Sequence, residues 1–220
     1  MEKKKVIIIS VVTVAIIALI VGIVCFLAFA KNGKDDNNNQ EQMANKVSDL
    51  YEALKTKETY SFTTTLDDKN KELYAKGNNA AYTESVYDGK LSKYVIKDGN
   101  SYLIRDESEE YYTYSNNQTD LNKVEKILGN LAGVEFTTGK ENVNNKKYQY
   151  MEYNQPTEFT MMSSAQIASS QDVKTRFYFS GDKLVYIKTI VGEKEELLKV
   201  EISDKVDSNL FEIPANYQER

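Results

Sequence analysis

Six carboxylates lie close enough together to suggest chemistry: Glu107, Glu109 and Glu110 in one run, Glu193, Glu195 and Glu196 in another. Grouped acids can hold a divalent cation or divide acid and base roles between them. Neither run has the partners such work needs. The 220-residue chain holds no histidine, and its one cysteine, Cys25, sits inside an apolar stretch. That excludes Ser-His-Asp and Cys-His nucleophile systems, and zinc sites built on His or Cys. EF-hand spacing and phosphate-cradling glycine motifs are absent as well. The acidic runs therefore read as solvated strand ends and turns. Asn117-Gln118-Thr119 fits a glycosylation triplet but reads better as a loop and helix cap. No enzyme activity, cofactor or metal is expected.

Charge narrows the partners. Residues 1–30 hold Glu2 and Lys3, Lys4 and Lys5; setting them aside lowers 28 basic and 33 acidic residues to 25 and 32, a formal charge of −7. Only Arg105, Arg176 and Arg220 are arginines. An acidic domain without arginine clusters does not suit a phosphate backbone, so nucleic acid is not expected as a partner. The abundance of Asn, Lys and Tyr points to an AT-rich, bacterial source.

Residues 6–30, VIIISVVTVAIIALIVGIVCFLAFA, carry no charge and follow a cytoplasmic-type basic N-terminus, residues 1–5. As a helix they extend about 37 Å, against about 30 Å of bilayer hydrocarbon. The run exceeds the roughly 7–15 apolar residues of a secretory signal. Lysines before it, without equal density after it, place the N-terminus inside the cell. Val24 before Cys25 departs from the small residue that lipid attachment favours. Ala28-Phe29-Ala30 could instead be a cleavage site. A retained transmembrane signal-anchor is the reading adopted, which puts the remainder on the outer face of a single-pass cell-membrane protein. Residues 31–42, KNGKDDNNNQEQ, lack aromatic and β-branched residues and read as a disordered linker reaching about 20 Å.

Residues 43–220 read as one extracytoplasmic domain. Met43, Val47, Leu50, Tyr51 and Leu54 have helical spacing. Short strands rich in Tyr, Val and Ile follow, joined by Gly77-Asn78-Asn79, Asp88-Gly89 and Asp98-Gly99-Asn100. A second helix is expected from Thr119-Asp120 through LNKVEKILGNLAG, with Gly129 and Gly133 as candidate terminators. Strands then resume as VEFTT, KKYQYMEYN, KTRFYFSG, DKLVYIKTIV and ELLKVEIS, before an extended NLFEIPANY. About 10–11 strands and two or three helices make an α+β domain.

Over the last seventy residues FYFS, GDKL, KVEIS and DSNLFEIPANY resemble the C-terminal half of Lol-type lipoprotein carriers. The wider superfamily includes mycobacterial lipid-carrier lipoproteins and a domain of an envelope-stress regulator. Upstream, DGNSYLIRDESEEYYTY is similar to that family's hairpin and strand before the helix, and 43–55 matches its N-terminal helix. The resemblance implies a strongly curved antiparallel sheet, a half-barrel whose concave face is closed by helices and takes up acyl chains. The lid-holding arginine of Lol carriers has no counterpart in FTTTL or ELYAKG.

Such a fold makes an apolar pocket the default site. The candidate ligand-binding residues alternate along strands: Phe62 and Leu66, Tyr94 and Ile96, Phe177 and Phe179, Leu184 and Tyr186. The uncharged stretch FTMMSSAQIASSQ, residues 159–171, with Met161 and Met162, is a candidate lid or ligand-contact segment. The expected function is non-covalent binding of a lipid or other apolar ligand by a bilayer-tethered domain. The alternative is an interaction or envelope-sensing ectodomain with a filled core and a protein partner. The anchor reading has a direct check. N-terminal sequencing of the membrane-bound protein should find residues 6–30 still attached; a chain starting at Lys31 would overturn it.

Overall fold

The computed structural model describes residues 46–115, 121–168 and 172–220. These fall in one compact unit, Gln40–Arg220. The apolar run 6–30, the linker and Thr119-Asp120 lie outside the described residues. Among the described residues no helix is long and apolar enough to cross a membrane.

The chain opens on α1 (Lys46–Lys55) and continues through β1 (Tyr60–Asp67), β2 (Asn70–Gly77), β3 (Ala80–Tyr87), β4 (Lys90–Lys97), β5 (Asn100–Arg105) and β6 (Glu110–Ser115). After α2 (Lys123–Gly129) come β7 (Phe136–Val143), β8 (Lys146–Tyr153) and a short α3 (Ser164–Ala168). Then β9 (Val173–Ser180), β10 (Lys183–Val191) and β11 (Lys194–Ser203) lead to a 3-10 turn, Ser208–Phe211, and a two-residue β12 (Gln218–Glu219). One sheet holds all twelve strands in the order β12-β6-β5-β4-β3-β2-β1-β11-β10-β9-β8-β7, and it does not close. Every pairing is antiparallel except β12 with β6.

Turn chemistry explains the hairpins. Asp88-Gly89 and Asp98-Gly99 each place two residues at positive φ, as tight two-residue hairpin loops require. Asn144-Asn145 does the same between β7 and β8 (φ 50° and 63°), at a turn the sequence reading passed over. With that turn passed over, the sequence reading ends β7 after VEFTT, whereas the strand runs on through Gly139-Lys140-Glu141-Asn142; the twelfth strand is the two-residue β12. A glycine inside a strand argues for a break, yet here it makes room. A Cβ at Gly139 would fall on the Tyr150 hydroxyl of the neighbouring strand.

Alternation assigns the two faces. A register row crosses seven strands as Ile202, Phe62, Tyr74, Thr83, Tyr94, Leu103 and Tyr112. Its inner members join Val47 and Leu54 of α1 and Val124, Ile127 and Leu128 of α2 in the main core. Both helices therefore lie on this face. On the opposite face Ala75, Tyr82, Val95 and Ile104 form a second core, covered by Val206, Leu210, Phe211, Ile213 and Tyr217. NLFEIPANY is thus not simply an extended piece: its first half is the 3-10 turn, started by Asp207, whose carboxylate accepts from Asn209 N at 2.9 Å. A Cβ at Gly77 would sit 2.8 Å from the Phe211 ring, so the glycine admits the aromatic.

Farther along that face, over β7 to β11, charge replaces apolar cover. Arg176 reaches Glu152 (2.5 Å) and Glu141 (2.8 Å), and Lys188 reaches Glu141 (2.5 Å) and Glu195 (3.1 Å). The guanidinium lies 4.6 Å from the Tyr150 ring centroid. Burial works against the Glu141 charge, but hydrogen bonds from Lys188, Tyr178 and Arg176 outweigh it and hold the carboxyl below its usual value. Gly139→Val would displace Tyr150 from this cluster. Urea unfolding should show a loss of about 1–3 kcal/mol, the usual cost of overpacking; a wild-type midpoint would refute the close-approach account.

Candidate functional site

The floor of the helix-bearing face is filled. Tyr60, Phe62, Tyr74, Phe177, Leu184 and Ile187 are almost wholly buried there. α2 is bound to that floor by polar contacts too. Glu125, 4% exposed, accepts from Tyr60 Oη and Lys76 Nζ, both at 2.5 Å. Burial first, and the Glu125 carboxylate second, push the Tyr60 phenol far above its ordinary value, so it stays a donor. Tyr74 Oη donates to Leu121 O at 2.7 Å. α1 and α2 meet closely at Gly129, where a Cβ would stand 3.1 Å from the Tyr51 ring. At the other end of α1, Lys46 Nζ donates to Gly181 O at 2.5 Å.

After β8, residues 154–168 form a strap across this face. Phe159 is its wedge, stacked 5.0 Å from the Phe62 ring and edge-on to Phe177 at 6.3 Å. Glu196, 7% exposed, accepts from Thr160 Oγ1 and from Met161 N, each at 2.8 Å. Its carboxylate is therefore a structural latch, which corrects its reading as a solvated turn residue. Glu195, one position away, points to the opposite face and Lys188. The strap ends in a capping box. Ser163 Oγ accepts from Gln166 N (3.3 Å), and Gln166 Oε1 accepts from Ser163 N (2.9 Å). The SSAQ spacing carries that signal in the sequence.

Two spaces flank the strap. Beside Phe62, Thr64, Tyr74 and Met161 there is a gap of ≈ 20 Å³, the size of a single water. Beyond it opens a cleft of ≈ 500 Å³, within the range of small-molecule sites. Its inner wall is Ile127, Asn130 and Leu131, from the end of α2 and the turn after it. The strap supplies the outer wall from Gln155 to Ala168, including Pro156, Thr157, Met162 and Ile167.

The sequence candidates divide accordingly. Phe62, Phe177, Phe179 and Leu184 belong to the main core, with Ile96 packed at its margin. Tyr94 is on the same face but 37% exposed, and Leu66, 40% exposed, falls at a register shift in β1. Met161 lines the water-sized gap and Met162 the cleft. Tyr186 is on the opposite face, its ring 5.5 Å from Tyr148. A bulge between Leu184 and Tyr186 inverts the alternation that would have kept the two together. Of 159–171, residues 169–171 lie outside the described residues. Of the cleft's other apolar residues, Ile167 falls within the candidate segment 159–171, while Ile127, Leu131 and Pro156 were not among the candidates. Ile127 and Leu131, four apart on one helical stripe, carried the available signal.

No family model matches the sequence, and no curated protein matches it. Solved structures do. The chain is similar to LprF from Mycobacterium bovis at 10% identity, over 80% of this chain and 98% of that one, with a TM-score of 0.49. It is similar to the lipoprotein LppX from Mycobacterium tuberculosis at 14% identity, over 76% and 98%, with a TM-score of 0.44. An uncharacterized conserved protein from Thermus thermophilus is similar at 9% identity, over 80% and 98%, with a TM-score of 0.45.

The latch has a measurable consequence. Glu196→Ala strands two donors, so stability should fall by about 1–3 kcal/mol and limited proteolysis within 157–168 should quicken. Glu196→Gln, which keeps an acceptor oxygen, should recover most of both. Equal behaviour of the two variants would argue that the carboxylate holds nothing.

Proposed function

We propose that the domain binds a lipid or other apolar ligand non-covalently, in the cleft between the end of α2 and the strap, while residues 6–30 hold it at the outer face of the cell membrane. One observation carries the reading: a ≈ 500 Å³ space walled on one side by the core's own Ile127 and Leu131 and on the other by the half-buried Met162 and Ile167 of the strap. Met162 and Ile167, which the core does not take up, gain by covering, each buried methylene of a ligand contributing about 0.8 kcal/mol. No chemical step is required, and the domain is read as a binder, not an enzyme. The half-barrel reading of the open sheet fits this use, with the strap standing over the mouth. The ligand site moves accordingly, from the strand residues that fill the core to the helix and strap residues above them.

A second reading has its own support. The floor beneath the helices is filled by buried side chains, as an interaction or sensing ectodomain built on a solid scaffold would require. The two readings separate on ligand occupancy. Organic extraction of the full-length protein, purified in a lipid-free detergent after stringent exchange, should release an apolar compound in near-stoichiometric amount. Ile167→Arg, which puts a charge in the cleft wall at a half-buried position outside the core, should abolish that recovery while leaving far-UV circular dichroism unchanged. Equal recovery from the variant would assign the compound to the membrane segment and favour the scaffold.

A further inference from the structure

The hairpins of the sheet turn alternately at two rims. One rim gathers the turns after β2, β4, β7 and β9, with the start of β1 and the end of β11; the other gathers those after β1, β3, β5 and β10. Charge divides unevenly between them. The second rim exposes Asp67, Asp68, Asp88, Glu107, Glu109 and Glu193, which outnumber its bases Lys69, Lys90, Arg105 and Lys194. At the first rim the balance reverses. The turns after β7 and β9 and the end of β11 adjoin, because β8 pairs with β9 and β10 with both β9 and β11. Asp182 and Asp204 there are taken up by Lys46 and Lys57, while Lys146, Lys147, Lys183 and Lys205 stand exposed. Glu58 is exposed beside them, and the turn after β4 carries Asp98 next to a Lys97–Glu212 pair. The cationic excess is therefore confined to the β7 to β11 half of this rim.

The path of the chain supplies an independent observation. α1 starts at this same half-rim, where Lys46 Nζ donates to Gly181 O at 2.5 Å. Whatever precedes Lys46 leaves the domain from there. Residues 31–45 separate that point from the uncharged run 6–30, and as a linker they reach about 20 Å. A lysine patch held within that distance of a bilayer meets phosphate-bearing headgroups of opposite sign, and the acidic rim is repelled from them.

We propose that the lysine-bearing half-rim docks on the anionic headgroups of the bilayer that holds residues 6–30, with the acidic rim turned away. This step rests on the membrane-anchor reading above. It gives an acidic domain a defined cationic footing.

The test is lysine acetylation of the full-length protein in lipid nanodiscs, one set of phosphatidylcholine and one with phosphatidylglycerol added, mapped by mass spectrometry. Each lysine at an anionic surface contributes about five-fold in affinity. Lys147, Lys183 and Lys205 should therefore react at least about five-fold more slowly in the phosphatidylglycerol discs. Lys69, Lys90 and Lys194 of the other rim should react equally in both. The difference should vanish in about 0.5 M salt, where the Debye length is about 4 Å. In a variant combining Lys147→Glu, Lys183→Glu and Lys205→Glu, all at exposed positions, Lys146 should lose its protection. Equal rates in the two disc types, or protection of the acidic rim instead, would overturn the docking and leave the anchor standing. Co-elution with discs reports the anchor separately. A chain retained only by phosphatidylglycerol discs at low salt would overturn the anchor and keep the docking. A chain retained by neither disc would overturn both.

Discussion

A sheet with apolar residues on both faces has to be covered twice. Here each cover comes from a different part of the same chain. α1, α2 and the strap lie over one face, and residues 206–217 lie over half of the other. The rest of the architecture follows from how far each cover reaches. Where the C-terminal segment ends, the opposite face changes from Tyr82, Val95 and Ile104 to the paired charges of Glu141, Arg176 and Lys188. Such pairs satisfy one another and need no cover, because buried or half-buried charges persist only with partners.

On the helix-bearing face the cover is made of pieces that are not continuous. α2 is held down by Glu125, Tyr60 and Tyr74, the strap by Phe159 and Glu196. Each piece is anchored to the sheet, and the end of α2 and the outer strap face each other across the cleft. A space between two separately anchored elements can persist without collapsing the core below it. That is the physical basis for placing a ligand above the core and not within it.

Much of the fold was legible locally. Strand alternation, the Asp-Gly turns and the α1 and α2 stripes rest on neighbours within a few residues. The misses share a different cause. Tyr186 faces away from Leu184 because one extra residue in β10 resets its period. Gly139 sits inside a strand because a tyrosine from the next strand crosses it. Glu196 looks like part of an acidic turn until the strap, some 35 residues earlier in the chain, brings Thr160 and Met161 to it. The candidate site rested on alternation too, and that pattern is the same for a filled core and for a cavity wall.

By itself the order of residues determined that this is a hairpin-built α+β domain behind a long uncharged run, without histidine or disulfide chemistry. Those properties depend on composition and short-range periodicity, which no tertiary contact can alter. Only the tertiary structure decided which apolar residues are used up in packing and which are left beside open space. That outcome depends on how closely elements distant in sequence approach one another, and side-chain type does not encode such distances.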